Sequence, residues 1–336
     1  MHPLRYRDCA AHGLTEMQLR HPRWWHPAAG VAQPREDADS LVKRCAAIRL
    51  ALAPNAVFTH VTSAQLRGWW LPSGMRDWPV VACTDGDAPH HDRRGVYVRR
   101  CAIPAGDRRV VAGLPIASAE WTILELAEDL SLIDLVVVID SALQLDDCTV
   151  ESLRRAIVPG RRGVKRLRRA LELADGRSES PWETILRLVH VLSGIDDVEP
   201  QAKLRDQTGT VVARADLRLG ATRRLSEYDG AAHRDGPQHR RDLRREKLLL
   251  RLGFERYGYT AVEIHQEAQR ILLDAEEALG IAHDPTRIRG WLAEYRLSTL
   301  SATGRHRLAT RMQRFTRDTP PRSTRRKHTR EAQNRY

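Results

Sequence analysis

Residues 211–233 read VVARADLRLGATRRLSEYDGAAH. Two runs of strand-like composition, Val211–Leu217 and Arg223–Asp229, flank a glycine-containing turn and predict a hairpin. Asp216 and Glu227 stand eleven residues apart, near the ends of the two strands. A hairpin of that length can bring both carboxylates to one side of a sheet. Two hard oxygen ligands so placed suit Mg²⁺, with Mn²⁺ as the alternative, because the ion keeps several of its waters. A metal held there polarises a phosphodiester and lowers the pKa of an attacking water. Asp229 follows Glu227 by two, which in a strand means the same face. His233 is close enough in sequence to join them. Plainer readings stand beside these. Asp216 ends a strand, where an acid often begins a turn, and Asp229-Gly230 is an ordinary turn dipeptide. His233 in a polar loop can simply be solvated. Glu227 resists such a reading, because acids are depleted in strand interiors.

Working outward, Ser180-Pro181-Trp182-Glu183 opens a helix that runs to about Ser193. Glu183 is either a capping carboxylate or a third member of the acidic site. After the hairpin, a basic helix spans about Gln238–Leu252, with Arg240, Arg241, Arg244, Lys247 and Arg251 as candidate phosphate contacts. The alternative is a solvated face, with Asp242–Glu246 balancing part of the charge. Phe254–Tyr259 is a third strand, and Thr260 with Glu263 forms a capping box for the next helix. The order over 177–282 is therefore helix, strand, strand, helix, strand, helix.

The elements SESPWE (178–183), ARADL (213–217), SEYDGAAH (226–233) and RRD (240–242) together resemble the very-short-patch-repair-like (Vsr-like) branch of the PD-(D/E)XK nucleases. The resemblance covers 177–282. It implies a restriction-endonuclease-like domain, a mixed sheet flanked by helices, that hydrolyses DNA phosphodiesters with Mg²⁺. It implies that Asp216 and Glu227 hold the metal, that Glu183 assists, and that Asp229 or His233 handles the attacking water or its proton. The chain departs from the wider superfamily at Asp229, which stands where lysine often orients water, so the general base is unassigned.

The front of the chain differs. Residues 1–40 hold a small helix capped by Thr15, then a turn and a short strand, and read either as part of a small winged helix or as an N-terminal strap. Residues 41–150 form an α/β unit: helices over Ser40–Leu52, from a Thr62 cap, over Ser118–Asp129 and over Leu132–Leu145, and strands at Val80–Cys83 and Gly95–Val98. The segments GLT (13–15), THVTSA (59–64) and GLPIASA (113–119) resemble the antitoxin half of abortive-infection (AbiEi-like) type IV toxin–antitoxin systems. That implies DNA binding or recognition of a cognate toxin. Asp85, Asp87, His90, His91 and Asp92 lie close together, but the glycine, proline and mixed charge of that stretch fit a solvated loop better than a metal site.

Residues 151–176 read as a basic connector, with eight basic and no acidic residues from Arg154 to Arg169. Its second part, Val164–Ala174, keeps Val164, Leu167, Leu171 and Ala174 on one face and reads as a helix; both a solvated helix face and phosphate contact suit its basic residues. Residues 283–313 read as a helical extension. The stretch 314–336, with eight basic and two acidic residues, reads as a disordered tail.

Charge is unevenly spread. The chain of 336 residues carries a net +12, yet residues 1–150 are at −2 and 151–336 at +14. A basic back half suggests a nucleic-acid partner. The five cysteines show no C-x-x-C spacing, which excludes a thiolate zinc finger and a disulfide framework. No run reaches the length of a membrane helix: Leu132–Leu143 is broken by Asp134 and Asp140. The start lacks a signal-peptide core, so a cytoplasmic address is expected. The fold class is α/β in two parts. The expected function is Mg²⁺-dependent DNA cleavage, the alternative a non-catalytic DNA-binding regulator or antitoxin-like protein. The oligomeric state is not legible.

Overall fold

The computed structural model describes residues 2–75, 78–85, 95–230 and 236–315. The chain opens with a three-stranded antiparallel sheet in the order β1-β3-β2, formed by β1 (Leu4–Arg5), β2 (Trp24–Ala28) and β3 (Val31–Pro34). Helix α1 (Glu16–Leu19) lies between β1 and β2 and is a single turn closed by a Thr15–Gln18 capping box. Leu4, Cys9, Leu19, Trp24 and Ala32 give this segment its own small core.

A five-stranded mixed sheet follows in the order β6-β5-β4-β8-β7. Its elements are α2 (Leu41–Arg49), β4 (Val57–Phe58), α3 (His60–Arg67), β5 (Val80–Thr84), β6 (Val96–Arg100), β7 (Arg108–Val111) and β8 (Leu114–Ala117), then α4 (Ala119–Leu126). Thr62 does not cap α3. The helix begins at His60, and the buried Thr62 hydroxyl instead accepts from the Val81 N–H at 2.8 Å, tying helix to sheet. The five cysteines are free thiols.

Helix α5 (Leu132–Gln144) is the hub, buried from Leu132 through Ala142. Two helices follow within the stretch read as a connector: α6 (Val150–Arg155), and α7 (Val164–Leu173), which matches the helix expected over Val164–Ala174. Helix α7 buries Val164, Leu167, Ala170, Leu171 and Leu173, and its basic residues are the outer face of an amphipathic helix. Gly163 permits its close start. It has φ +85°, and a Cβ there would meet the Ala127 carbonyl oxygen at 2.5 Å.

Helix α8 (Pro181–Leu192) also packs on α5, so one core runs across both halves of the chain, from Ile139 and Leu171 to Leu186 and Leu217. The second sheet has four strands in the order β12-β11-β10-β9. They are β9 (Val198–Arg205), β10 (Val211–Leu219) and β11 (Arg224–Tyr228), then helix α9 (Gly236–Arg251) and β12 (Glu255–Tyr259). Neighbours are antiparallel except the β11–β12 pair, which is parallel and joined through α9. Strand β9 adds an element to the expected order. Its inward positions are Pro200, Ala202 and Leu204, and a proline in the run disguises what is an edge strand. The chain closes with α10 (Ala261–Gln266), α11 (Ala268–Leu279), α12 (Arg289–Leu297) and α13 (Ala302–Met312).

The expected tail starts too early at its front end. Phe315 is buried against His60 and Tyr97, and both Asp129 carboxylate oxygens accept from Arg314, at 2.9 and 2.6 Å. The rest of that stretch lies outside the described residues.

The two acids that interrupt the apolar α5 sequence are buried joints. Asp140 accepts from Arg187 at 2.8 Å and Thr184 at 2.9 Å, both on α8, and from the Asp175 and Gly176 N–H groups at 2.9 and 3.3 Å. Burial pushes its carboxyl above the ordinary range, with Arg187 pulling it back. Asp134 accepts from the Thr299 N–H and hydroxyl, the latter at 2.6 Å. Asp140→Ala strands the Arg187 guanidinium in the core. It is expected to lower stability by about 3–5 kcal/mol, and Asp140→Leu with Arg187→Met to recover most of that loss, in urea unfolding.

Candidate functional site

Strands β10 and β11 pair Leu217 with Ser226 and Arg218 with Leu225. One step further along this register Asp216 stands opposite Glu227, on one face of the sheet. The hairpin thus brings together the two carboxylates that the sequence singled out. Asp216 accepts from the Tyr228 N–H at 2.9 Å. Burial lifts its pKa to about 6, the Tyr228 N–H opposes the rise, and the negative charges of Glu183 and Glu227 add to it. Glu183 therefore belongs to the same electrostatic neighbourhood.

Glu183 also has structural work at the start of α8. Its Oε2 accepts from the Glu179 N–H and from Gln201 Nε2 of β9, both at 2.7 Å, while Ser180 Oγ caps the helix through the Glu183 N–H. The Glu183 carboxylate thus ties the chain just before α8 to β9, and its charge is felt at Asp216. Trp182, next to it, stacks on Tyr228 with ring centroids 5.4 Å apart.

Glu227 is 3% exposed and is clamped by two guanidinium groups. Arg245 of α9 donates to both carboxylate oxygens, at 2.8 Å to Oε2, and also to the Arg214 carbonyl at 2.8 Å. Arg256 of β12 donates to Glu227 Oε2 and to Asp229 Oδ1. Glu227 and Asp229 share a face, as their spacing implied, and Arg256 bridges them. Both arginines are held above the ordinary range: Arg245 first by its hydrogen bond to Glu227, and Arg256 against the pull of burial by its hydrogen bond to Glu227 and the charges of Glu227 and Asp229.

These contacts test the fit of a divalent cation. The donor chemistry of Asp216 and Glu227 is right, but Glu227 has its oxygens turned to guanidinium groups. Among the described residues, no three His, Cys, Asp or Glu side chains are arranged to hold a metal ion. As placed, the residues fit an arginine-bridged carboxylate cluster rather than a Mg²⁺ or Mn²⁺ site.

Of the basic stripe on α9, Arg244, Lys247 and Arg251 are exposed. The side chains of Arg240 and Arg241, and all of His233, lie outside the described residues, as do Asp87, His90, His91 and Asp92. Asp85 accepts from Asn55 at 2.7 Å and from Arg108 at 3.4 Å. Sequence reasoning missed Arg245 and Arg256. For Arg245 a signal existed: it shares its helix face with Leu248, Leu249 and Leu252 at i+3, i+4 and i+7, and a cation on an apolar face needs a buried anion.

Residues 74–175 match the AbiEi antitoxin C-terminal domain. The match takes in β5 to α7 and bears out the antitoxin resemblance of the front half. It does not reach 177–282, where the nuclease resemblance finds no support. Two Mycobacterium tuberculosis proteins, "Uncharacterized protein MT2308" of strain CDC 1551 and "Uncharacterized protein Rv2248" of strain H37Rv, are each 26% identical over 261 residues, covering 74% of this chain and 89% of theirs. No solved structure matches the chain. No helix among the described residues is long and apolar enough to cross a membrane.

The raised Asp216 pKa has a measurable sign. Between its unfolded and folded pKa values the folded state holds the extra proton, so stability falls as pH rises through that window and stays lowered above it. Asp216→Asn keeps an acceptor for the Tyr228 N–H and removes the charge. In EDTA at pH 8 it is expected to stabilise the protein by about 1–2 kcal/mol after solvent screening, with the gain vanishing near pH 4. Thermal melts across that range check it.

Proposed function

We propose that this chain is an antitoxin-like regulator of the type IV kind, whose front α/β domain recognises DNA or counters a cognate toxin. The observation that carries this reading is the match of residues 74–175 to the AbiEi antitoxin C-terminal domain. It is an argument from family likeness, and it names a role without naming contact residues. The test uses the gene next to this one. Expressed alone, its product should arrest growth of a bacterial host, and co-expression of the full chain should restore it. An arrest that the chain fails to relieve, or a neighbour that causes none, would sink the reading.

A second reading is favoured by one observation: Asp216, lifted to about 6 by burial with smaller additions from the charges of Glu183 and Glu227, lies with them beside the basic α9. On this reading the back half is a metal-dependent phosphodiesterase acting on DNA, in which Asp216 and Glu227 would hold a cation that polarises the phosphate. Supercoiled plasmid incubated with Mg²⁺, with Mn²⁺ and with EDTA should be nicked only in the metal lanes, and not by Asp216→Ala or Glu227→Ala. Intact plasmid in every lane, from folded protein that retards DNA on a gel, leaves the regulator alone standing.

A further inference from the structure

Away from the carboxylates, five arginines from two distant segments gather at the C-terminal end of α4. Arg162 and Arg166 come from the start of α7, Arg307 and Arg311 from α13, and Arg314 from the turn after it. Three are anchored there. Arg166 donates to the Ala127 carbonyl at 2.9 Å, Arg311 to the Asp129 carbonyl at 2.6 Å, and Arg314 to the Asp129 carboxylate. Such bonds satisfy helix-end carbonyls and orient the guanidinium groups, but each leaves further N–H donors unused.

Arg162 and Arg307 are exposed and have no hydrogen-bond or ion-pair partner among the described residues. The acids nearby do not balance this charge. Asp129 is taken by His60 and Arg314, Asp134 by Ser131 and Thr299, and Glu128 by Arg161. Glu294 of α12 is the one remaining carboxylate that faces the cluster among the described residues. Burial, and then the neighbouring guanidinium charges, hold Arg166 and Arg311 below the ordinary arginine range. Arg166, Arg307 and Arg311 line a cleft of about 40 Å³ that Asp129, Asp134 and Glu294 also line. That space takes a few water-sized groups, the bulk of one phosphate.

We propose that this cleft binds a backbone phosphate of a nucleic acid, on a face built by α7 and α13 and separate from α9. Planar guanidinium groups with spare donors around a phosphate-sized cleft suit bidentate phosphate binding. Lys165 and Arg168, exposed further round the same helix, add positive charge beyond the cleft itself. A long polyanion uses such a spread, whereas an acidic protein patch needs no phosphate-sized cleft. The inference rests on the nucleic-acid side of the reading above only for its choice of DNA.

Full-length protein is titrated against a labelled duplex of random sequence, by fluorescence anisotropy, from about 50 to 200 mM salt. The variant Arg162→Ala/Arg307→Ala removes the two unpaired side chains, and an unchanged melt confirms its fold. It is expected to bind at least about tenfold more weakly and to lose about two from the slope of log affinity against log salt. Arg307→Lys, which keeps the charge, should hold that slope. Arg244→Ala/Lys247→Ala on α9 is the control. If only the α9 pair weakens binding, the cleft inference falls while the nucleic-acid reading survives. If the parent binds no duplex, both fall. Tighter binding to polyglutamate than to duplex also overturns it, in favour of an acidic protein partner.

Discussion

The structure hangs on a carboxylate buried in its centre. Asp140 sits on α5, the helix around which the front sheet, α7 and α8 are arranged, and it accepts hydrogen bonds from α8 and from the turn after α7. A charged group there is costly unless its oxygens are satisfied and a cation faces it. Asp140 has Arg187, a hydroxyl and two backbone N–H groups, so the cost is met only when these elements meet in one arrangement. Asp134, one face over, does the same for the C-terminal region through Thr299, and Asp129 at the end of α4 does so through Arg314. Three acids spaced along twelve residues thus fix where the back half and the C-terminus dock on the front half. Apolar packing alone would tolerate sliding; directional bonds to a buried charge do not.

The second sheet repeats this logic with a different outcome. Glu227 is satisfied, and Arg245 and Arg256 supply the compensation from a helix and a neighbouring strand. Asp216, directly across the hairpin, is not compensated in the same way. Burial disfavours its charged form and two other carboxylates add to that, with one backbone N–H in opposition. A buried acid left in that condition is a standing cost to the fold, and such costs concentrate where a ligand or reaction uses them. The cluster is therefore asymmetric: one carboxylate locked by two guanidinium groups, one with its pKa raised at its side.

Much of this was legible in sequence, and what was not has physical reasons. The hairpin, the Ser180 cap, the basic helix and the Thr260–Glu263 capping box follow from local rules that tertiary structure leaves alone. Strand β9 was hidden because a proline edge strand imitates a loop, and β4 is two residues long. Thr62 has the residue type of a cap and is used instead inside its helix, where a strand N–H outbids the local bond. The paired carboxylates could be named from spacing, but their partners could not. Arg245 and Arg256 lie 18 and 29 residues from Glu227, and no local pattern connects them.

The charge asymmetry gains a sharper meaning once partners are assigned. A net of +14 in the back half suggests at first a uniformly basic surface. Several of those arginines are internal fittings: Arg187, Arg245, Arg256 and Arg314 each meet a buried or half-buried acid, and Arg224 lies over the Tyr257 ring at 3.7 Å. They contribute charge to the count and little field to solvent. Among the described residues, exposed cations without anions of their own stand on the outer side of α9 and on the α7–α13 face. A chain that wanted only solubility could scatter such residues. Grouping them against mutual repulsion, on helices otherwise committed to the core, is stable only because buried anchors such as Ala127 and Asp129 hold the arginine stems in place.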